Sequence, residues 1–155
     1  MIDILAECSA WLRFKGIVQW PERFSPAQLL PSLESGDLYV VDDGTSLAAT
    51  VTLAWSDPVF WGDRADAGFL HRIGVRRSHA GLGGGILQWA SVESLTRGRQ
   101  YLCLDCLAAN HRLRKYYEDH GYSAVGELSG PSDHAHTIAH GSWKAILYEK
   151  RVDTV

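Results

Sequence analysis

The sequence predicts an α/β fold, with helices packed around one mixed sheet in the order ααββ(β)αβαββ. Three observations carry this. Apolar residues at helical spacing trade places along the chain with short runs of strand-like alternation. Asp43-Gly44 joins two such runs as a hairpin. Residues 69–87, FLHRIGVRRSHAGLGGGIL, pass from a strand through a glycine cluster into a helix, and the rest of the chain is organised around them.

Ile4, Leu5, Cys8, Trp11 and Leu12 form one apolar stripe, so the first element is an amphipathic helix loosened at Gly16. After Trp20-Pro21, the run Ser25-Pro26 followed by Gln28 reads as a capped helix start. Leu29, Leu30 and Leu33 supply its buried side, Pro31 keeps it short or kinked, and Gly36 ends it. Residues 38–41 and 47–55 are the hairpin strands, the second alternating Leu47, Ala49, Val51, Leu53 and Trp55. Residues 57–66 read as a loop. In the organising stretch, Phe69, His71, Ile73 and Val75 alternate with Leu70, Arg72 and Gly74. Ile86, Leu87, Ala90, Ser91, Ser94 and Leu95 give the following helix. Residues 101–107 are apolar almost throughout, as in a strand buried on both faces. Asn110 caps a helix carrying Leu113, Tyr116, Tyr117 and His120, which Gly121 closes. Residues 123–128 and 143–152 are the last two strands.

Composition narrows the function classes. At 155 residues, 46% hydrophobic and 21% charged, the chain is expected to form a single domain over 1–155. A net charge of −3 argues against a general nucleic-acid binder. No apolar run approaches the roughly 20 residues that span a bilayer. The opening MIDILAECSAWL lacks the basic start of a signal peptide. Three cysteines give no disulfide framework, and residues three apart on a strand, Cys103 and Cys106, point to opposite faces. The expectation is a reduced, cytoplasmic protein.

Strand, glycine-rich turn and helix make a phosphate cradle, because glycine lets backbone N–H groups face the loop and the helix N-terminus favours an anion. A P-loop needs Lys then Ser or Thr after its second glycine, and Ile86 follows Gly85. A dinucleotide fingerprint from Gly81 needs Gly or Ala where Ile86 stands. What remains, Gly81-x-Gly83-x-Gly85 after a strand and two arginines, resembles the acyl-CoA pyrophosphate loop of the GNAT acetyltransferase superfamily. That loop, Gln/Arg-x-x-Gly-x-Gly/Ala, falls on residues 80–85. Gly83 and Gly85 match, whereas Ala80 stands in place of Gln or Arg, leaving a charge for Arg76, Arg77 or His79 to replace. A second motif, NHRLRKYYEDHGY, is similar to the family's Asn-x-x-x-x-x-x-Tyr-x-x-x-Gly-(Phe/Tyr) segment, with Asn110, Tyr117, Gly121 and Tyr122 in register.

The resemblance implies a mixed, mostly antiparallel sheet flanked by about four helices, and acetyl-CoA as co-substrate. It places the pyrophosphate on Gly81, Leu82, Gly83, Gly84, Gly85 and Ile86, and pantetheine on Ile73, Gly74 and Val75, with Gly74 admitting the thioester closely. Asn110 either contacts pantetheine, or caps its helix, or does both. Tyr117 matches the family's general acid and Tyr116 packs beside it. Its alternative role is that of a half-buried core tyrosine. An ammonium must lose its proton before it attacks, and His71, Asp105 or a water chain supplies the base. No cysteine lies within the motifs, so attack is direct, in a ternary complex. The acceptor is then a primary amine of a small molecule, with a CoA-binding sensor domain or a protein-amine acetyltransferase as alternatives. Edge strands in this fold pair between subunits, so a homodimer is expected.

Two clusters stand outside the motifs. Asp133, His134, His136 and His140 read as a solvated loop bordering the acceptor pocket, and no metal is expected. Asp57, Asp63 and Asp66 with Phe60 and Trp61 form either an acidic, aromatic lip for a cationic amine or an ordinary polar loop.

Overall fold

The computed structural model describes residues 1–130 and 143–152. Helix α1 (Ile2–Phe14) buries Ile4 and Leu5, and α2 (Pro26–Glu34) begins where Gln28 Oε1 accepts from Ser25 N at 2.8 Å. Trp20, Phe24 and Leu29 join Leu5 in a small core between these helices. Burying such a side chain is worth about 1.5–3 kcal/mol, so this satellite core fixes α1 against the sheet. Pro31 sits inside α2, which stops after nine residues.

The sheet has six strands: β1 (Leu38–Asp42), β2 (Leu47–Ala54), β3 (Ala67–Val75), β4 (Tyr101–Leu107), β5 (Ser123–Gly130) and β6 (Trp143–Arg151). Their spatial order is β1-β2-β3-β4-β6-β5, and only the β3–β4 pair is parallel. The expected mixed, mostly antiparallel sheet is therefore found. Among the described residues five α-helices accompany it; α3 (Pro58–Trp61) is a single turn where a loop was expected. Its signal was present, because Asp57 Oδ1 accepts from Phe60 N and Pro58 fills the first turn. Helix α4 (Leu82–Thr96) and α5 (His111–Asp119) lie over the main core, with Ile86, Leu87 and Ala90 packed on Leu70, Leu102 and Leu104.

The β1–β2 hairpin departs from the two-residue turn. Its loop spans residues 43–46, with a register shift at Val41/Asp42. The Asp43 carboxylate accepts from the Thr45 hydroxyl and from the Thr45 and Ser46 amides, which holds the longer loop and keeps this acid well below its usual range. Cys103 and Cys106 fall in separate clusters on opposite faces of β4, and burial pushes both thiols up to about 12. Asp133 and the three loop histidines lie outside the described residues. No helix among the described residues is long and apolar enough to cross a membrane.

Candidate active site

The site begins where two parallel strands part. β3 and β4 pair from Ala67↔Tyr101 to Leu70↔Leu104 and no further. Beyond that rung β3 stays with β2, and β4 stays with β6 as far as Leu107↔Ala145. The backbone of residues 71–75 and 105–107 therefore opens into a wedge. A cavity of about 680 Å³ fills it, running from α1 past the β3–β4 seam to the start of α4 and the flank of α5.

A bulge in β3 shapes this wedge. β2 pairs Thr50↔Gly74 and then Thr52↔His71, so Arg72 and Ile73 together oppose Val51. Arg72 takes up the extra residue at φ 50, the only positive φ of a non-glycine among the described residues. The strand alternation changes phase there. Leu70, Ile73 and Val75 all pack toward the main core, whereas Phe69 contacts Trp61 and Gly74 turns toward α1. This corrects the regular alternation expected across the strand. At Gly74 a Cβ would meet Leu5 Cδ2 at 3.0 Å, so the glycine makes room for α1. Ile73 and Val75 line the cavity as expected; Gly74 does not.

At one end of the cavity, Gly81 is the N-cap of α4 with φ 109, a conformation that favours glycine. No side chain caps the helix, so the amides of Leu82, Gly83 and Gly84 face outward without an intrahelical acceptor. Gly81, Gly83 and Gly84 line the cavity. Leu82 packs on the core, Ile86 is buried in it and Gly85 is exposed, and none of these three residues is part of the cavity wall. Of the cations expected to replace the missing Gln or Arg, Arg76 and Arg77 line the cavity. Arg76 is braced by Glu7 at 2.8 Å and Arg77 stacks 4.2 Å from the Trp11 ring centroid. His79 is bound to Asp43 at 2.8 Å and stands apart. Lys15 and Arg112, which sequence reasoning passed over, also line the cavity.

The catalytic candidates meet in the middle. His71 Nε2 lies 3.4 Å from Asp57 Oδ2, and His71 Nδ1 lies 3.9 Å from Asp105 Oδ1. Burial, and then the charge of Asp57, push the Asp105 carboxyl up to about 7. Phe60 lines this part, but Asp66 is paired with Arg64, Asp63 is exposed and Trp61 packs on Phe69. Of the expected lip, Phe60 alone lines the cavity, and Asp57 lies buried behind His71. Tyr117 is buried beside the wedge, with its phenol raised well above 10 by burial. Tyr116 does more than pack: its hydroxyl would lie 2.7 Å from a Cβ on Gly83, so it abuts the glycine turn. Asn110 Oδ1 accepts from Leu113 N at 3.2 Å, which is the expected cap, and its Nδ2 donates to Gln19 Oε1 at 3.0 Å. Cys8, read in the sequence only as part of the apolar stripe of α1, lines the cavity, and its thiol donates to Val75 O at 3.4 Å.

An acyl-CoA fits these features: an opened strand edge for an amide-bearing arm, and an uncapped helix start with cations for phosphates. Comparison with known proteins decides the family. The Acetyltransferase (GNAT) family model matches residues 5–122. The chain belongs to the GNAT acetyltransferase family. It is 32% identical over 135 residues to YesJ, an uncharacterised N-acetyltransferase of Bacillus subtilis, covering 79% of this chain and 74% of YesJ. A GNAT acetyltransferase from Listeria monocytogenes shares the fold, with a TM-score of 0.71 at 21% identity, over 96% of this chain and 86% of its own. Another, from Elizabethkingia anophelis with acetyl-CoA bound, gives 0.61 at 14% identity, over 82% and 83% of the two chains.

Proposed function

We propose that this GNAT enzyme moves an acetyl group from acetyl-CoA to a primary amine of a small molecule by direct attack in a ternary complex. The observation that carries this reading is His71, held between Asp57 and Asp105 on the wall of the same cavity that ends at the glycine turn. In this reading the α4 amides with Arg76 and Arg77 hold the pyrophosphate, and the free edge of 73–75 receives pantetheine.

An incoming ammonium is attracted by the Asp57 carboxylate behind His71 and gives its proton to His71 Nε2 or Nδ1. The neutral amine attacks the thioester carbon; the C–N bond forms, the C–S bond breaks, and the electron pair leaves on sulfur. Tyr117 donates a hydrogen bond to that thiolate. Its raised pKa, above the ordinary thiol value near 8.5, keeps the phenol protonated for this task. Cys8 does not favour a covalent route, because burial raises its thiol, which donates a hydrogen bond to Val75 O. The three free cysteines fit a reducing compartment such as the cytoplasm.

The test combines calorimetry with acetyl-CoA and a free-thiol assay across a panel of small amines. Micromolar acetyl-CoA binding with amine-dependent thiol release is expected. Binding without release for any amine would leave the sensor-domain alternative standing.

A further inference from the structure

Arg72 is a charged residue of the cavity wall that this chemistry leaves unused. The bulge that places it has a non-glycine residue at φ 50, a conformation disfavoured for a side chain of this size. Its guanidinium leans toward α2 and β2: Nη2 donates to Ser32 Oγ at 2.7 Å, and lies 3.4 Å from Thr52 Oγ1, while Nη1 donates to Gln28 O at 3.4 Å. All three acceptors are neutral. No carboxylate stands within 4.0 Å of it among the described residues, whereas Arg23, Arg64, Arg76 and Arg97 each meet one. Its Nε is buried with no hydrogen-bond partner in the structure. A guanidinium in such a place is costly unless an anion answers it.

Arg72 lines the active-site cavity beside His71. One short piece of β3 therefore offers two opposite electrostatic demands. His71, with Asp57 and Asp105 around it, suits a cationic amine. Arg72, one residue on, suits an anion with paired oxygens, for which guanidinium is the matching donor. A single small molecule that satisfies both carries an amine and a carboxylate a few bonds apart. Resting on the acetyltransferase reading above, we infer that the acceptor is an amino acid or an amino-acid analogue, its carboxylate held by Arg72 and its amine presented to His71.

The experiment compares matched acceptors: amino acids against the amines with the same side chain and no carboxylate, each scored by kcat/KM with acetyl-CoA. The wild type is expected to prefer the acids by about 10- to 100-fold, the range of a charge-assisted hydrogen-bonded contact. In Arg72→Gln that preference collapses, mainly through a higher KM for the acids, while acetyl-CoA affinity by calorimetry stays at the wild-type value. Arg72→Lys, which keeps the charge but not the fork, retains part of the preference. If Arg72→Gln does not fold, the wild-type preference and the Lys variant still decide. Equal or better turnover of the amines lacking a carboxylate overturns the inference and leaves the acetyltransferase reading intact. An acid preference that survives Arg72→Gln assigns the carboxylate to another residue and overturns it too. No thiol release with either set overturns both readings together.

Discussion

The His71 imidazole stands 3.9 Å from Asp105 Oδ1, and each residue is the first beyond the last rung shared by β3 and β4, Leu70↔Leu104. The two strands hold their ladder up to that point and release it there. The same opening thus brings an imidazole and a carboxyl from neighbouring strands into one pocket. Asp57 approaches the imidazole from the other nitrogen at 3.4 Å, and its charge adds to burial in raising the Asp105 carboxyl.

If His71 takes the proton of the amine, His71→Ala lowers kcat by about 10²-fold or more near neutral pH. The acidic limb of the pH–rate profile disappears with it, since that limb reports protonation of the base. A profile with the same limb, merely lower, would assign the titration to Asp105 or to a water chain.

Asp105 also makes a statement about stability. Its folded pKa of about 7 lies above the ordinary 3.8, so between those values the folded state binds more protons than the unfolded chain. The stabilisation this provides is full below the ordinary value and is lost as pH rises through about 7. Asp105→Asn removes the dependence. Urea unfolding at about pH 5 and about pH 9 should show the wild type losing on the order of 1–3 kcal/mol more than the variant across that span. Parallel losses would mean that Asp105 is not held protonated by its surroundings.

Much of this arrangement was legible in the sequence because it is local. Asn110 caps its helix, Gly121 closes it at φ 85, and the turn before α4 needs glycine at Gly81, all dictated by neighbours along the chain. What escaped is set by distant partners. The phase change at Arg72 follows from pairing with β2, and the glycine at Gly74 answers Leu5, far away in α1. Likewise Lys15 and Cys8 become cavity wall only because α1 crosses β3. Asp57 was noticed as part of an acidic lip, but its contact with His71 depends on the single turn of α3 that it caps.

Tyr117 gives a prediction with two readouts. Removing only its hydroxyl, in Tyr117→Phe, keeps the ring that packs on Tyr122 and Tyr148 at 5.8 and 6.2 Å between centroids. Turnover should fall about tenfold or more while acetyl-CoA affinity holds, because the hydrogen bond to the leaving sulfur matters in the transition state and not in the ground state. Unchanged turnover would reduce Tyr117 to a core residue.

The glycine turn can be tested through its neighbour on α5. A Cβ on Gly83 would lie 2.7 Å from the Tyr116 hydroxyl and 3.5 Å from its Cζ, so the hydroxyl alone makes the clash. Gly83→Ala should therefore push α4 and α5 apart at the pyrophosphate end and weaken acetyl-CoA binding by about tenfold, the cost of overpacking being about 1–3 kcal/mol. Adding Tyr116→Phe leaves an ordinary van der Waals contact and should restore most of the affinity. The double-mutant cycle, run by calorimetry, then shows a coupling that neither substitution has alone. Additive losses would place the demand for glycine at residue 83 on the cofactor itself rather than on Tyr116. Gly81→Ala serves as the contrast: nothing lies within 4 Å of its added Cβ, so its penalty comes from φ 109 and no change at Tyr116 rescues it.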